Sequence, residues 1–228
     1  MQFLNGLKYG ISYFSVIPIK LKIFEADRQF YRGVLFSLPI VGILLALLII
    51  FLFLILPLPT LYKAILCAII YLFSYGFLHL EAVCDTIDGY FASLSKKDVY
   101  EVMHEPQVGS IGAIGGFCFV LLKILAIAYL LYFECFITLV IIMVLSRLSF
   151  VFALDLKFHE KSHFIMSIQD SFRTPLLVKL LFLPFSLLTK LILNTLKRKL
   201  GFINGDTLGF NIELQEIIYL NLAIVFIL

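Results

Sequence analysis

The sequence lacks most of the polar surface that a soluble protein needs. Only 14% of its 228 residues are charged, 62% are hydrophobic, and tryptophan is absent. Soluble domains average about 25% charged residues and about 45–50% apolar residues. A chain of this composition could not cover a water-exposed surface with polar groups, so we expect a lipid bilayer to be its main solvent.

Cysteine and net charge are also scarce. The four cysteines are Cys67, Cys84, Cys118 and Cys135. They lie in or beside apolar runs and form no Cys-x-x-Cys pair, so we expect reduced packing residues rather than disulfides or a zinc site. The net charge is only +3 and the basic residues lie between apolar runs, a pattern that gives no sign of nucleic-acid binding. No removable signal peptide is evident at the start of the chain.

Apolar runs separated by short polar segments predict the fold class. A membrane-spanning helix needs about 20 largely apolar residues. The firm candidates are Val34–Leu56, Leu61–Leu80, Ile111–Tyr132, Phe136–Leu154 and Ile212–Leu228. We therefore predict one all-α domain over residues 1–228, a polytopic transmembrane helical bundle of about five to seven spans. Pro184 and two lysines interrupt Leu176–Leu196, so this stretch is expected to be broken, re-entrant or a hairpin.

Basic loop residues predict the orientation. The N-terminal segment, the loop containing Lys96 and Lys97, and the polar segment Asp155–Pro175 are basic, whereas the loop between the third and fourth runs has only Glu134. Basic loops favour the cytoplasm. Lys197–Lys199 should lie there too, which a single clean span over Leu176–Leu196 would prevent.

The densest group of reactive side chains lies in His79–Gly89. At about 100° per residue, a helix through this segment places Glu81, Asp85 and Asp88 on one face. Such charges repel one another and are costly near a bilayer, so a divalent cation is a natural partner. Mg²⁺ takes oxygen ligands and often joins carboxylates to substrate phosphates. The alternative is a solvated acidic helix end, and His79 alone is more typical of a packed or interfacial histidine.

Small residues open the third apolar run. Glycines at 109, 112, 115 and 116 leave one side of the predicted helix nearly bare. This spacing favours close helix packing, although backbone N–H groups at a helix start can instead bind a phosphate.

Two further features carry isolated polar groups within apolar surroundings. Asn204–Gly209 is typical of an ordinary turn, although Asp206 and Glu213 could share a helix face. Arg147 lies inside the fourth run and needs an anionic partner there. That partner is either a phosphate or a carboxylate in a structural intramembrane ion pair.

Together these segments resemble the cobalamin synthase family, the adenosylcobinamide-GDP ribazoletransferases. The likeness covers most of the chain, in order, through Arg32-Gly33, Pro39–Gly42, His79–Gly89, Met103–Gly109, Ser146-Arg147, Gly205–Gly209 and Ile212–Glu216. The chain departs from the usual pattern at Glu81-Ala82, where Asp-Gly is usual. It also departs at Glu105 and Gln107, where an aspartate and a basic residue are common.

The resemblance implies a Mg²⁺-dependent transferase of the bacterial inner membrane with its active site on the cytoplasmic side. A hydroxyl of α-ribazole or its 5′-phosphate attacks the cobinamide-bearing phosphorus of adenosylcobinamide-GDP, and GMP leaves. The product is adenosylcobalamin or its 5′-phosphate. Whether the chain forms a homo-oligomer is left open.

The resemblance also assigns residues to roles. The implied catalytic residues are Asp85, Asp88 and Asp206. The implied Mg²⁺ ligands are Glu81, Asp85 and Asp88, and Asp206 either completes the metal site or acts as the general base. The implied substrate-binding residues are His79, Glu105, Arg147 and Gly205.

Two other functions remain as alternatives. A CDP-alcohol phosphotransferase of phospholipid synthesis also uses an intramembrane acidic cluster, but its usual Ala-Arg pair does not follow Gly89 here. A cation- or proton-coupled transporter would carry carboxylates near the bilayer midplane and repeated halves. In this sequence the carboxylates lie at the ends of apolar runs, and no repeat is evident.

Overall fold

A computed structural model describes residues 1–20, 26–95 and 97–227. Within these ranges the chain is helical and contains no β-strand, which confirms the all-α prediction. The helices are α1 (Gln2–Tyr13), α2 (Arg28–Ile55), α3 (Thr60–Ser74), α4 (Leu78–Leu94), α5 (Val99–Val102), α6 (Ser110–Tyr132), α7 (Phe136–Ala153), α8 (His163–Ser171), α9 (Leu176–Leu181), α10 (Leu183–Leu200) and α11 (Gly205–Ile227). Lys96 and Leu228, which entered the predictions above, lie outside the described residues.

Four helices of the described chain, α2, α6, α7 and α11, are long and apolar enough to cross a membrane. The bent pair α3 and α4 would make a fifth span if the two helices cross together. These helices confirm the predicted polytopic bundle, at the lower end of the expected number of spans.

The second predicted span, Leu61–Leu80, is not one helix. α3 ends at Ser74 and α4 begins at Leu78, and between them Gly76 and Phe77 have φ values of 69° and 59°. Left-handed backbone interrupts a right-handed helix even though the apolar run continues, and it is uncommon for a bulky residue such as Phe77. The acidic motif therefore lies on a helix of its own, α4.

The chain divides into two compact units. The first comprises Met1–Phe77, Leu121–Leu148 and Glu216–Leu228. In it α1 packs closely on α2, because a Cβ added to Gly33 would come within 2.7 Å of the backbone nitrogen of Leu7. The assignment of residues 1–228 to one domain stays a prediction.

The second unit comprises Leu78–Val120 and Ser149–Gln215 and contains α4. The glycine face of α6 packs on α4, as the spacing predicts. A Cβ added to Gly115 or Gly116 would come within 2.5 Å of Ile87 Cδ1 or Cys84 Sγ, respectively. α4 also contacts α5 and α10.

The stretch Leu176–Leu196 is broken, as predicted. α9 ends at Leu181 and α10 begins at Leu183. α10 ends at Leu200, and the capping residue Gly201 that follows has a φ of 92°, the left-handed conformation that glycine adopts at helix ends. The last turn of α10 carries Lys197, Arg198 and Lys199, cations that suit the negative end of a helix.

Candidate active site

α4 presents the acidic motif of the second unit. Glu81 is in its first turn, and Asp85 and Asp88 follow four and seven residues later, so the three carboxylates share one face. Glu81 is exposed, whereas Asp85 and Asp88 are half-buried. Gly89 lies against Met103, the residue that follows α5, and a Cβ at Gly89 would come within 2.6 Å of Met103 Cγ.

The start of α6 holds Asp88. Its Oδ2 accepts a hydrogen bond from the N–H of Gly109 at 2.8 Å, and its Oδ1 accepts one from Gly112 at 2.7 Å. Both glycines are needed, because a Cβ at either position would collide with the carboxylate. The N–H groups that the sequence left open to a phosphate thus bind a protein carboxylate, which the positive end of a helix favours.

The start of α11 supplies a fourth carboxylate. Asn204 Oδ1 accepts the N–H of Thr207 at 3.0 Å, and Thr207 Oγ1 accepts the N–H of Asn204 at 2.9 Å. This reciprocal pair caps the helix in the manner of a capping box. The segment with a turn-like sequence is therefore the first turn of α11. Asn204 Nδ2 also donates to Oδ2 of Asp206 at 2.8 Å.

Gly209, one turn further along, lets α11 approach α4. A Cβ at Gly209 would come within 2.7 Å of Ala82 Cβ and 3.4 Å of His79 Nδ1. This approach brings Asp206 within electrostatic reach of Asp85. Two segments more than 100 residues apart in the sequence therefore contribute to one acidic cluster.

The charges of this cluster act on both Asp85 and Asp206. The negative charges of Asp206, Glu81 and Asp88 all act on Asp85, Asp206 most strongly. His104 acts with the opposite sign on both Asp85 and Asp206. Carboxylates crowded in this way are unfavourable without a counter-charge, so the cluster is suited to bind a cation or to take up a proton.

His104 was given no role by the sequence, although it stands within the Met103–Gly109 motif. Its Nδ1 lies 2.7 Å from the carbonyl oxygen of Tyr100, and the two rings stack with centroids 4.1 Å apart. The sequence could have predicted that His104 lies near the cluster, because it is only a few residues before the glycines at the start of α6.

The donor chemistry of the cluster fits Mg²⁺, although a complete ligand set is not preassembled. Within residues 1–20, 26–95 and 97–227, no three His, Cys, Asp or Glu side chains are grouped closely enough to hold a metal ion. Mg²⁺ usually keeps several waters and takes one or two carboxylates together with substrate phosphates. The cluster offers that number of carboxylates, and the three-ligand site of Glu81, Asp85 and Asp88 stays a prediction.

Arg147 has a protein partner within the first unit. Its NH1 donates to Oε2 of Glu216 and to the carbonyl of Met143, both at 2.8 Å, and its NH2 donates to the hydroxyl of Tyr71 at 2.9 Å. Glu216 Oε1 pairs with Lys123 Nζ at 2.9 Å. The three charged side chains are buried. Of the two interpretations left open by the sequence, this geometry favours the intramembrane ion pair, and a substrate contact for Arg147 stays a prediction.

The other predicted substrate contacts lie in the second unit. His79 is buried where α4 meets α11, and Gly205 is the exposed first residue of α11. Glu105 is exposed and lines a cavity of about 330 Å³ together with Asp88 and Gly109. Their roles in binding stay predictions.

The motifs that meet on α4 and α11 belong to a known family. Residues 6–224 match the family model for cobalamin-5-phosphate synthase. The chain belongs to the cobalamin-5-phosphate synthase family. The family resemblance predicted from the sequence is thereby confirmed.

Individual members of the cobalamin-5-phosphate synthase family are similar to this chain along nearly their whole length. The chain is 30% identical to the adenosylcobinamide-GDP ribazoletransferase of Treponema denticola, with 96% of each chain covered. It is 28% identical to the protein of the same name from Thermoanaerobacter pseudethanolicus, over 95% of this chain and 96% of the relative. No solved structure matches the chain.

Proposed function

We propose that this protein is a Mg²⁺-dependent transferase that joins adenosylcobinamide-GDP to α-ribazole or its 5′-phosphate, a late step of cobalamin biosynthesis. Membership of the cobalamin-5-phosphate synthase family and the names of its relatives support this reaction. The observation that carries the proposal is the approach of Asp206 to Asp85. It brings together two separate motifs of the family resemblance around a cluster suited to phosphate chemistry.

In the proposed reaction one P–O bond replaces another. The bond between the cobinamide phosphate and GMP breaks, and GMP leaves with its electron pair. A new bond forms from the ribazole oxygen to the same phosphorus, and the hydroxyl proton passes to a carboxylate. Asp206 is suited to accept this proton, because Asn204 fixes its Oδ2 and so orients the carboxylate.

The cluster also explains how the chain would tolerate an anionic diphosphate. When bound, Mg²⁺ neutralises phosphate charge, which supplies much of the catalysis of phosphoryl transfer. Glu81, Asp85 and Asp88 are the residues proposed to hold it. The two N–H bonds to Asp88 orient its carboxylate and tie α6 to α4, so this residue also positions the face that carries Asp85.

We place the site on the cytoplasmic side of a bacterial inner membrane. The second unit, which holds the acidic cluster, also contains many of the basic loop residues. They include Lys97, Lys157, Lys161 and Arg173, and the last turn of α10 adds Lys197, Arg198 and Lys199. Basic residues beside membrane spans favour the cytoplasm.

The test is turnover by purified protein in lipid vesicles. Adenosylcobinamide-GDP and α-ribazole are supplied with Mg²⁺, and GMP release and corrinoid product are measured together. Asp206→Asn should lower kcat by about 100-fold or more, because a positioned proton acceptor typically contributes about 10²–10⁴-fold. Asp85→Asn should also lower kcat strongly, because it removes the charge of a proposed Mg²⁺ ligand. The matched control is Asp170→Asn, an exposed aspartate on α8, which should keep normal turnover.

Two results would contradict the proposal. If the wild-type protein releases no GMP from adenosylcobinamide-GDP, the reaction is wrong. If the reaction proceeds but Asp206→Asn turns over like Asp170→Asn, the site is wrong at Asp206. Circular dichroism of each variant shows whether the helices remain intact.

A further inference from the structure

A second cavity lies within the second unit, at the segment that links α7 to α8 and at the end of α10. Its volume is about 500 Å³, within the range of about 300–1,000 Å³ typical of ligand sites. Its lining includes Lys157, His159, Lys197 and Phe202. It therefore combines cations with rings, the two features that bind a phosphorylated nucleoside.

The two lysines of the cavity are available to an anion. Neither Lys157 nor Lys197 forms an ion pair with any residue that the structure describes. Lys179, in contrast, pairs with Asp155 at 2.6 Å. Glu160 is an acid of the lining, so the two lysines leave the cavity with a net positive charge.

The walls of the cavity are held by hydrogen bonds. The N–H of His159 donates to the carbonyl of Ile203 at 2.8 Å. The side-chain amide of Gln169 donates to the carbonyls of Leu154 and Leu156 at 2.6 and 3.0 Å. A cavity with fixed walls loses little conformational entropy when it binds a ligand.

A column of stacked rings extends from this cavity to His104. Tyr100 stacks between His104 and His159, with ring centroids 4.1 and 4.7 Å away. Phe202 makes T-shaped contacts with both Tyr100 and His159. Two ring contacts thus lead from His159 in the cavity to His104. His104 in turn acts electrostatically on Asp85 of the acidic cluster.

We propose that this cavity binds the phosphorylated nucleoside portion of a substrate, with Lys157 and Lys197 on the phosphate and Phe202 and His159 against a ring. The inference rests on the proposed function. The guanosine nucleotide portion of adenosylcobinamide-GDP and the whole of α-ribazole 5′-phosphate share this chemistry. The basic cavity and the acidic cluster would then have separate roles. The cavity binds the anionic substrate, and the acidic cluster binds the cation and accepts the proton.

The test is the double variant Lys157→Gln, Lys197→Gln, with Lys199→Gln as the matched control. Lys199 is an exposed lysine of the same helix turn as Lys197 and is absent from the cavity lining. KM and kcat are measured for adenosylcobinamide-GDP, α-ribazole and α-ribazole 5′-phosphate, and binding of GMP is measured by equilibrium dialysis. In the double variant we expect the KM of the substrate whose phosphate binds in the cavity to rise by about tenfold or more, because charge-assisted bonds to that phosphate are lost. We expect kcat to change little.

The affected substrate identifies the source of the phosphate. A higher KM for adenosylcobinamide-GDP with weaker GMP binding assigns the cavity to the guanosine nucleotide. A higher KM for α-ribazole 5′-phosphate alone, with α-ribazole unchanged, assigns it to the phosphate of the acceptor. If every KM and the GMP affinity match those of Lys199→Gln, the proposal is wrong.

Failure of the proposed function would be recognised separately. If the wild-type protein turns over none of these substrates but binds GMP, and the double variant loses that binding, the cavity remains a nucleotide site in an enzyme of another reaction. If the wild-type protein shows neither turnover nor GMP binding, the cavity proposal is overturned as well. Should the double variant fail to fold, Lys157→Gln and Lys197→Gln are tested singly.

Discussion

Replacing Glu216 with glutamine removes the negative charge that lies between Lys123 and Arg147 and keeps the size of the side chain. Glu216 and Lys123 are fully buried, and the carboxylate oxygens lie 2.9 Å from Lys123 Nζ and 2.8 Å from Arg147 NH1. The hydroxyl of Tyr71 also donates to Oε1 of Glu216 at 2.6 Å. A glutamine has one acceptor oxygen, so its NH₂ group would face one of the two cations or the hydroxyl.

The loss of stability can be estimated from this geometry. Breaking one buried ion pair by removing a partner costs about 3–5 kcal/mol, because it leaves an uncompensated charge. Glu216→Gln leaves two such charges, so we expect the free energy of unfolding to fall by at least the upper figure, about 5 kcal/mol. Lys123→Met leaves the Arg147–Glu216 pair intact and should cost far less than Glu216→Gln.

The assay is unfolding of the protein in mixed micelles by increasing SDS, followed by circular dichroism of the helices. The matched control is Glu134→Gln, an exposed carboxylate in the turn between α6 and α7, which should change stability by no more than about 0.5 kcal/mol. If Glu216→Gln unfolds like this control, or if Lys123→Met is the more damaging change, the cluster is not held together as described.

Three further predictions concern the acidic site and the topology. Gly112→Ala would place a Cβ on the Asp88 carboxylate and should lower both turnover and thermal stability, whereas Gly201→Ala, which meets open space, should show only the cost of its left-handed backbone in a thermal melt. Excess chelator should abolish GMP release and added Mg²⁺ should restore it, and undiminished turnover in chelator would exclude the metal. Ser95→Cys and Arg198→Cys, both at exposed positions, are made in a variant that lacks the four native cysteines. Both should react with a membrane-impermeant thiol reagent from the same side of the membrane. Labelling from opposite sides would contradict a shared cytoplasmic face.

The sequence predicted the helical face of Glu81, Asp85 and Asp88 because the 3.6-residue period depends only on local geometry. It could not predict that Asp88 would accept the N–H groups at the start of α6, because that contact joins residues 88, 109 and 112 through tertiary packing. The sequence correctly predicted that the glycines form a packing surface. It did not predict which group packs against them.

Two boundaries were missed for different physical reasons. The break between α3 and α4 depends on the left-handed backbone of Gly76 and Phe77, and only the glycine is a sequence signal for it. α11 begins at Gly205 rather than at Ile212, because Asn204 and Thr207 form a cap. The pattern Asn-x-x-Thr before an apolar run was the available signal, and the turn-like Gly-Asp pair obscured it.

The order of synthesis gives the Lys123–Glu216–Arg147 cluster a consequence for membrane insertion. α6 and α7 are synthesised before α11. Lys123 and Arg147 are therefore present before Glu216, the acidic partner with which they are buried in the folded protein. An acidic or basic residue at the centre of a lone helix costs about 2.5–3.5 kcal/mol on insertion. α11 should therefore enter the bilayer beside α6 and α7 rather than alone. A double mutant that lacks the cations of both Lys123 and Arg147 should then retain the normal fold of the earlier helices but accumulate chains in which α11 has failed to insert.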